Sequence, residues 1–279
     1  MNFSIIGPSG YIGKRHLDAI NKLDGKIVSY LDLKPCNEVN EGIFFENPDD
    51  FFSSFQDSNP DYCIICSPNY LHAEHILKSL DFNTEVICEK PICINKEELS
   101  VIQEKAMKAR KNVYSIMQLR LHPVIDILKK IAINKSQNKT ALISVITPRN
   151  KEYLNSWKTD KKLSGGILFN LGIHYFDLLI QAFGRPLESK VIQNSDLRAN
   201  GITNFNELSV EWLFSIDPED QIKNEPQRIF NVDGQEIIFS KVSNDLHFEN
   251  YNRIMSKTDD FKLDNVLTTM ECLLEINEK

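Results

Sequence analysis

Lys90 stands between Glu89 and Pro91 at the end of an apolar run. A lysine so placed can hydrogen-bond a reacting hydroxyl and stabilise the alkoxide that develops as its proton leaves. Desolvated, it can also accept that proton itself. The ordinary alternative is a surface ion pair with Glu89 or Glu85. A second set, Asn170, His174 and Asp177, recurs at i, i+4 and i+7, which places all three on one helix face. His174 suits general acid–base work near neutral pH, and Asp177 one turn on would fix its tautomer. Ser164 would cap that helix, while Gly165 and Gly166 allow close backbone approach. In a third set, Gln118, Arg120 and His122 alternate with leucines, which puts them on one side of an extended chain. Arg120 there offers a planar fork for a carboxylate or phosphate. Arg149 and Lys158, either side of Tyr153 and Trp157, would extend this basic lining. One histidine, one carboxylate and one asparagine make a thin ligand set, so no metal is expected. His16, His72 and His75 read as helix-surface or capping residues rather than catalysts. His247 and Tyr251, one helical turn apart, are candidates to reach a substrate.

The elements that must position these residues are legible in the first half of the chain. Residues 3–13 run from an apolar strand into Gly7-Pro-Ser-Gly10-Tyr-Ile-Gly13, and Asp32 ends the next apolar run. Strand, glycine turn, helix and an acid-tipped second strand are how a fold holds a dinucleotide: the glycines admit the pyrophosphate to the backbone, and the helix N-terminus faces it. Asp32 would accept from the adenosine ribose hydroxyls and repel a 2′-phosphate. That favours NAD, with nearby Lys34 as the feature that would serve NADP. Strand-like runs follow at 61–66, 84–88 and 112–116, with helical stretches near 15–22, 71–80 and 96–110 and a short helix around 49–55. This β-α-β rhythm with near-continuous apolar strands predicts a doubly wound parallel sheet over residues 1–119. Ligands in such folds bind outside the carboxyl ends of the strands. The expected cofactor contacts are therefore Gly7, Ser9, Gly10, Tyr11, Ile12 and Asp32, then Ser67, Pro68, Asn69, His72, Glu89, Lys90 and Gln118.

After Arg120 the pattern changes. A helix is expected over 123–133, alternating strands over 140–147, 205–215 and 227–240, the last with a turn at Asp233-Gly234, and a loop over 217–226. A packing helix over 264–276 closes the chain. Residues 120–279 thus read as a C-terminal α+β domain on a largely antiparallel open sheet. Length allows two domains, and 42% hydrophobic with 25% charged residues is globular composition. The net charge of −7 disfavours nucleic acid and anionic membranes as partners. No signal peptide or membrane-spanning length is apparent, and the cytoplasm is the expected compartment. Cys63 and Cys66 lie three apart on a strand and point to opposite faces, so the six cysteines imply no disulfide framework.

With these clusters in view, the chain resembles the glucose–fructose oxidoreductase / inositol dehydrogenase (Gfo/Idh/MocA) family. The carriers are Gly7 to Gly13, Glu89-Lys90-Pro91 and the Gly165-Gly166, His174, Asp177 helix, so the resemblance spans both domains. Four stretches, Ile6 to Ile12, Cys66 to His72, Gln118 to Pro123 and Ser164 to Asn170, look like those of bacterial UDP-N-acetyl-2-amino-2-deoxyglucuronate dehydrogenases. The resemblance implies NAD-dependent oxidation of the C3′ hydroxyl of a UDP-linked sugar uronate during lipopolysaccharide sugar synthesis. It further implies NAD recycling on 2-oxoglutarate and a homotetramer joined through the C-terminal sheets. Lys90 and His174 would share the proton, His174 being favoured as base with Asp177 orienting it. Lys90, Gln118, Arg120, Arg149, Trp157, Asn170 and His174 would line the substrate. Two departures stand out: Asn170 occupies a place where the family often has Asp, and the chain looks short between about residues 185 and 250.

Overall fold

A computed structural model describes residues 1–133, 139–223, 225–239 and 245–279. The chain divides into two units, Met1–Ile116 with Asn244–Val266, and Met117–Ser243 with Leu267–Lys279. A single break near residue 119 was the expectation; instead a segment more than a hundred residues downstream returns to the first unit.

The first unit begins β1 (Asn2–Ile6), α1 (Tyr11–Lys22), β2 (Lys26–Leu31), β3 (Ile43–Phe45), α2 (Pro48–Ser53), α3 (Phe55–Ser58) and β4 (Tyr62–Ile65). It continues with α4 (Asn69–Asp81), β5 (Glu85–Cys88), α5 (Lys96–Ala109) and β6 (Val113–Ser115). The strands form one parallel sheet in the order β3-β2-β1-β4-β5-β6. Phe3, Ile5, Ile64, Val86 and Ile87 are wholly buried, as strands covered on both faces require. The order reverses between β1 and β4, so the loops after these two strands flank the crevice where such sheets bind ligands. Helix boundaries follow local chemistry: Asn47 caps α2 by accepting from Asp49 and Asp50, and Asn95 caps α5 by accepting from Glu98. The three-residue β3 is too short and too polar in its surroundings to announce itself in the sequence.

The second unit comprises α6 (Val124–Ile133), β7 (Lys139–Ile146), α7 (Lys151–Leu154), α8 (Lys161–Ser164), α9 (Ile173–Phe183), β8 (Glu188–Asn194), β9 (Arg198–Asn204), β10 (Leu208–Ser215), β11 (Gln227–Val232) and β12 (Gln235–Glu236). The sheet order is β12-β11-β7-β10-β9-β8. It is mostly antiparallel, as expected, but β7 and β10 run parallel at its centre. The run over 227–240 breaks at Asp233-Gly234, both at positive φ, as a two-residue hairpin turn needs; Ser240 lies outside the described residues. The expected loop over 217–226 carries a short 3-10 turn at Pro218–Asp220, and Asn224 within it lies outside the described residues. Strands β8 and β9 went unforeseen because their outward positions are mostly polar and β8 is half exposed throughout.

One face of this sheet packs on α9, where Phe176 meets Trp212 at 5.5 Å and Tyr175 meets Phe214 at 5.7 Å between ring centroids. The stretch Lys161–Phe183 is long and apolar enough to cross a membrane by composition, contrary to the expectation of no such run, yet 78% of its apolar window is buried inside the protein. Its α9 part is the core helix of this sheet. The chain then returns through α10 (Leu246–Met255) to the first unit and closes with α11 (Leu263–Asn277).

Candidate active site

In the first unit, Gly7 follows β1 at φ +76°, and a Cβ there would come within 2.8 Å of the Cys66 carbonyl oxygen. A Cβ on Gly13 would meet the Gly7 carbonyl oxygen at 2.2 Å, so the first turn of α1 packs directly on the loop backbone. Helix α1 starts at Gly10 with no side-chain cap, which leaves its first N–H groups for a ligand. Ser9 Oγ is buried with no hydrogen-bond partner among the described residues. Asp32, just past β2, accepts from the Ser9 N–H at 2.9 Å and the Leu33 N–H at 2.8 Å, which fixes its carboxylate beside the glycine turn. A turn closed to side chains, an uncapped helix end, an orphaned hydroxyl and a placed acid together fit NAD.

The loops after β4 and β5 are tied to each other. His72, expected on the helix surface and as a cofactor contact, is buried, with Nδ1 2.5 Å from the Pro91 carbonyl oxygen and Nε2 2.8 Å from that of Ser67. Its ring is therefore committed to the two loop backbones. His75 is likewise buried, its Nδ1 2.9 Å from Ser67 Oγ, and burial, with the neighbouring His72 charge, lowers its pKa to about 4. Lys90 is half-buried and joined to Pro91 by a cis peptide bond. Glu89 lies beneath it: Oε2 accepts from the Lys90 N–H at 3.2 Å, and Oε1 lies 3.0 Å from His16 Nε2 and 3.2 Å from His247 Nε2. Tyr251 Oη is 2.7 Å from His16 Nδ1. His16, His247 and Tyr251 are all buried, so none is the surface, capping or substrate-facing residue expected of it. The signal was present: His16 falls with Gly13, Leu17 and Ile20 in the apolar stripe of α1.

In the second unit, Gln118 and Arg120 sit on a 3-10 turn, Gln118–Leu121, not on a strand, so alternate residues do not share a face. His122 is buried, its Nδ1 accepting from the Val124 N–H at 3.1 Å to open α6. Arg120 grips Asp177 with two bonds, Nε to Oδ2 at 2.8 Å and Nη2 to Oδ1 at 2.6 Å, and Thr269 Oγ1 donates to Oδ1 at 2.7 Å. Both carboxylate oxygens of Asp177 thus accept from Arg120, and Arg120 already holds an anion. The expected orienting role of Asp177 and substrate role of Arg120 give way to one buried ion pair, because a bidentate guanidinium outcompetes an imidazole one turn away.

Ser164 ends α8 rather than opening the next helix, though its Oγ still accepts from the Gly166 N–H at 3.0 Å. Gly165 and Gly166, at φ +80° and +85°, turn the chain into a π-helical stretch, Leu168–Gly172, that leads into α9. Such wide turns recur at functional sites. Asn170 lies on it and His174 just after, both half-buried, and Asn170 Nδ2 donates to the Lys158 carbonyl at 2.7 Å. That bond brings Asn170 to the basic cluster. The Arg149 guanidinium lies 4.5 Å from the Tyr153 ring centroid, and Lys158 Nζ lies 5.2 Å from Tyr153 and 5.8 Å from Trp157. Arg149 Nε is buried without a hydrogen-bond partner among the described residues. Burial, with the Arg149 charge, lowers the Lys158 pKa. Two cations share an aromatic shelf with no acid paired to either among the described residues, a ready place for a carboxylate or phosphate.

All six cysteines are free, and burial pushes the Cys63 thiol up to about 12.

Comparison with known proteins accords with both halves. Residues 1–117 match the oxidoreductase family's NAD-binding Rossmann fold, and residues 139–221 match its C-terminal alpha/beta domain. The chain is similar to the WlbA (WbpB) dehydrogenase of Thermus thermophilus, solved with NAD and UDP-GlcNAcA: 31% identity, TM-score 0.91, over 99% of this chain and 94% of that one. The expected shortening is therefore slight against this neighbour. The same protein solved with NAD and alpha-ketoglutarate gives 32% identity and a TM-score of 0.89 over the same shares. Glucose-6-phosphate 3-dehydrogenase of Bacillus subtilis is 29% identical over 211 residues, 72% of this chain but only 57% of that protein's length.

Proposed function

That the chain belongs to the Gfo/Idh/MocA family of NAD-binding oxidoreductases is the premise from which we propose that it oxidises the C3′ hydroxyl of UDP-N-acetyl-2-amino-2-deoxyglucuronate. The product is the 3-keto sugar, an intermediate toward lipopolysaccharide O-antigen sugars in the cytoplasm. The observation that carries this reading is the cation pair Arg149 and Lys158 on the Tyr153–Trp157 shelf, neither paired to an acid among the described residues. A neutral polyol brings no charge to neutralise such a pair, whereas a sugar uronate or a diphosphate does. Trp157, Asn170 and Gln118 complete the substrate lining in this reading.

NAD held by the Gly7–Gly13 turn and Asp32 would supply the hydride acceptor for the carbinol carbon. Lys90 hydrogen-bonds the reacting hydroxyl and stabilises the alkoxide, and His174 accepts the proton. Asp177 takes no part in that transfer; with Arg120 it braces the wall behind His174's helix. Tyr11, Ile12, Ser67, Pro68 and Asn69 flank the cofactor cradle in this reading, with His72 tying the Ser67 loop to the loop of Pro91. The likeness to a neighbour solved with alpha-ketoglutarate supports 2-oxoglutarate as the acceptor that returns NADH to NAD.

The same anion shelf suits a sugar phosphate, and the Bacillus subtilis relative is named for oxidation at C3 of one. A single assay separates the two. NAD is mixed with UDP-N-acetylglucosaminuronate, with glucose 6-phosphate, or with myo-inositol, each with and without 2-oxoglutarate, and absorbance at 340 nm and product are followed. Turnover on the UDP-uronate alone is expected. Turnover only on glucose 6-phosphate would move the substrate, turnover on inositol would remove the anion shelf from the argument, and NAD binding without any turnover would favour a sensor.

A further inference from the structure

Three buried groups converge on Glu89 from elements far apart in sequence: His16 on α1, His247 on α10 and, behind His16, Tyr251 one turn further along α10. We propose that Glu89 is a positioning residue, the anionic end of a buried chain from Tyr251 through His16, joined by His247, that fixes the backbone on which Lys90 stands. The inference rests on the role given to Lys90 above.

One assignment of protons closes every bond. The Tyr251 hydroxyl donates to His16 Nδ1, which leaves His16 Nε2–H to donate to Glu89 Oε1; His247 Nε2–H donates to the same oxygen, and the Lys90 N–H to Oε2. In this assignment His16 is neutral and Glu89 carries the negative charge. Burial alone would raise the Glu89 pKa, but the hydrogen bonds from His16 and His247 hold it well below the usual carboxylate range. Burial in turn keeps His16 neutral by lowering its pKa. A buried carboxylate that accepts several donors is a rigid fixture, since moving any donor leaves the charge under-solvated.

The consequences for Lys90 are geometric. Glu89 holds its N–H from one side, and His72, against the Pro91 carbonyl, holds the next residue from the other. The same charge anchors α1, the helix whose N-terminus faces the pyrophosphate cradle. Cofactor cradle and reacting lysine thus share one support, and α10 supplies two of its members.

The donor atoms of His16, Glu89 and His247 lie within 4.8 Å of one another, which a metal ion could also bridge. The closed hydrogen-bond pattern, with Tyr251 as the terminal donor, accounts for the cluster with protons alone.

The test uses the full-length, NAD-loaded protein and the variants Glu89→Gln, His247→Phe and Tyr251→Phe, the last being the mildest if the others fold poorly. Amide hydrogen exchange at Lys90 is expected to quicken by about tenfold or more in each, while exchange in β1 and β4 is unchanged. On whichever sugar the wild type oxidises, kcat at saturating NAD should fall by about tenfold or more, and His247→Gln, which keeps an N–H, should recover most of the loss. Unchanged Lys90 exchange in all three variants would overturn the proposal. So would stoichiometric metal in the purified protein whose removal by chelator quickens that exchange. The exchange readout needs no turnover, so it stands apart from any failure of the substrate reading.

Discussion

Lys90 was legible in the sequence because its context is local: a strand end, an acid before it and a proline after it. Its replacement tests the proposed role most directly. Lys90→Met should lower kcat by about 100-fold or more with NAD still bound, measured by steady-state kinetics beside a direct NAD titration; full activity would remove it from the reaction. Arg120 and Asp177 were legible as residues but not as partners. They lie 57 positions apart, and no spacing rule within a helix or strand reaches that far. Their side chains are 7% and 2% exposed, so the pair is a buried charge couple. Asp177→Asn would strand the guanidinium and should cost about 3 kcal/mol of stability by denaturant unfolding, with KM for the sugar moving far less than it would for a substrate ligand.

The glycine turn shows how an element can be read when its chemistry is periodic and its constraint is backbone geometry. The three glycines, three apart, announce the strand–turn–helix junction, and the structure adds the reason for the third: there is no room for a methyl group between α1 and the Gly7 carbonyl. Gly13→Ala should push the helix off the turn and weaken NAD binding by about tenfold or more, by calorimetric titration, while far-UV circular dichroism at 25 °C stays near wild type. The π-helical stretch before α9 was not legible, because it has no sequence period of its own and hides inside an apolar helical pattern. Its effect is local but chemical, since Asn170 lies on the wide turn and bonds the backbone of Lys158.

For the molecule as a whole, the parallel sheet was legible from its apolar runs, whereas the mixed sheet was read only in part because its edge strands are polar. The balance of buried histidines sets a pH dependence. His75 falls from 6.5 unfolded to about 4 folded, so between these values the unfolded chain binds more protons and stability drops as pH falls. At pH 5 this one group should cost about 2 kcal/mol relative to neutral pH. His16 and His72, lowered in the same direction by burial, add to it. Calorimetric scans at pH 7.5 and 5 should therefore show a loss of several degrees, and His75→Gln should shrink it. The outward face of the second sheet carries Leu142, Ile202, Leu213 and Ile229, of which Leu142 and Ile229 are 41% and 46% exposed. If the homotetramer that the family resemblance implies is joined through this face, sedimentation of Leu213→Lys should give a smaller species than wild type. The return of α10 to the first unit bears finally on the order of manufacture. On the ribosome, residues 1–116 emerge early, yet the helix that completes their polar core is not made until residue 255 has been added. The nascent first unit must therefore wait, with His16 and Glu89 short of two partners, while the whole of the second sheet is being translated.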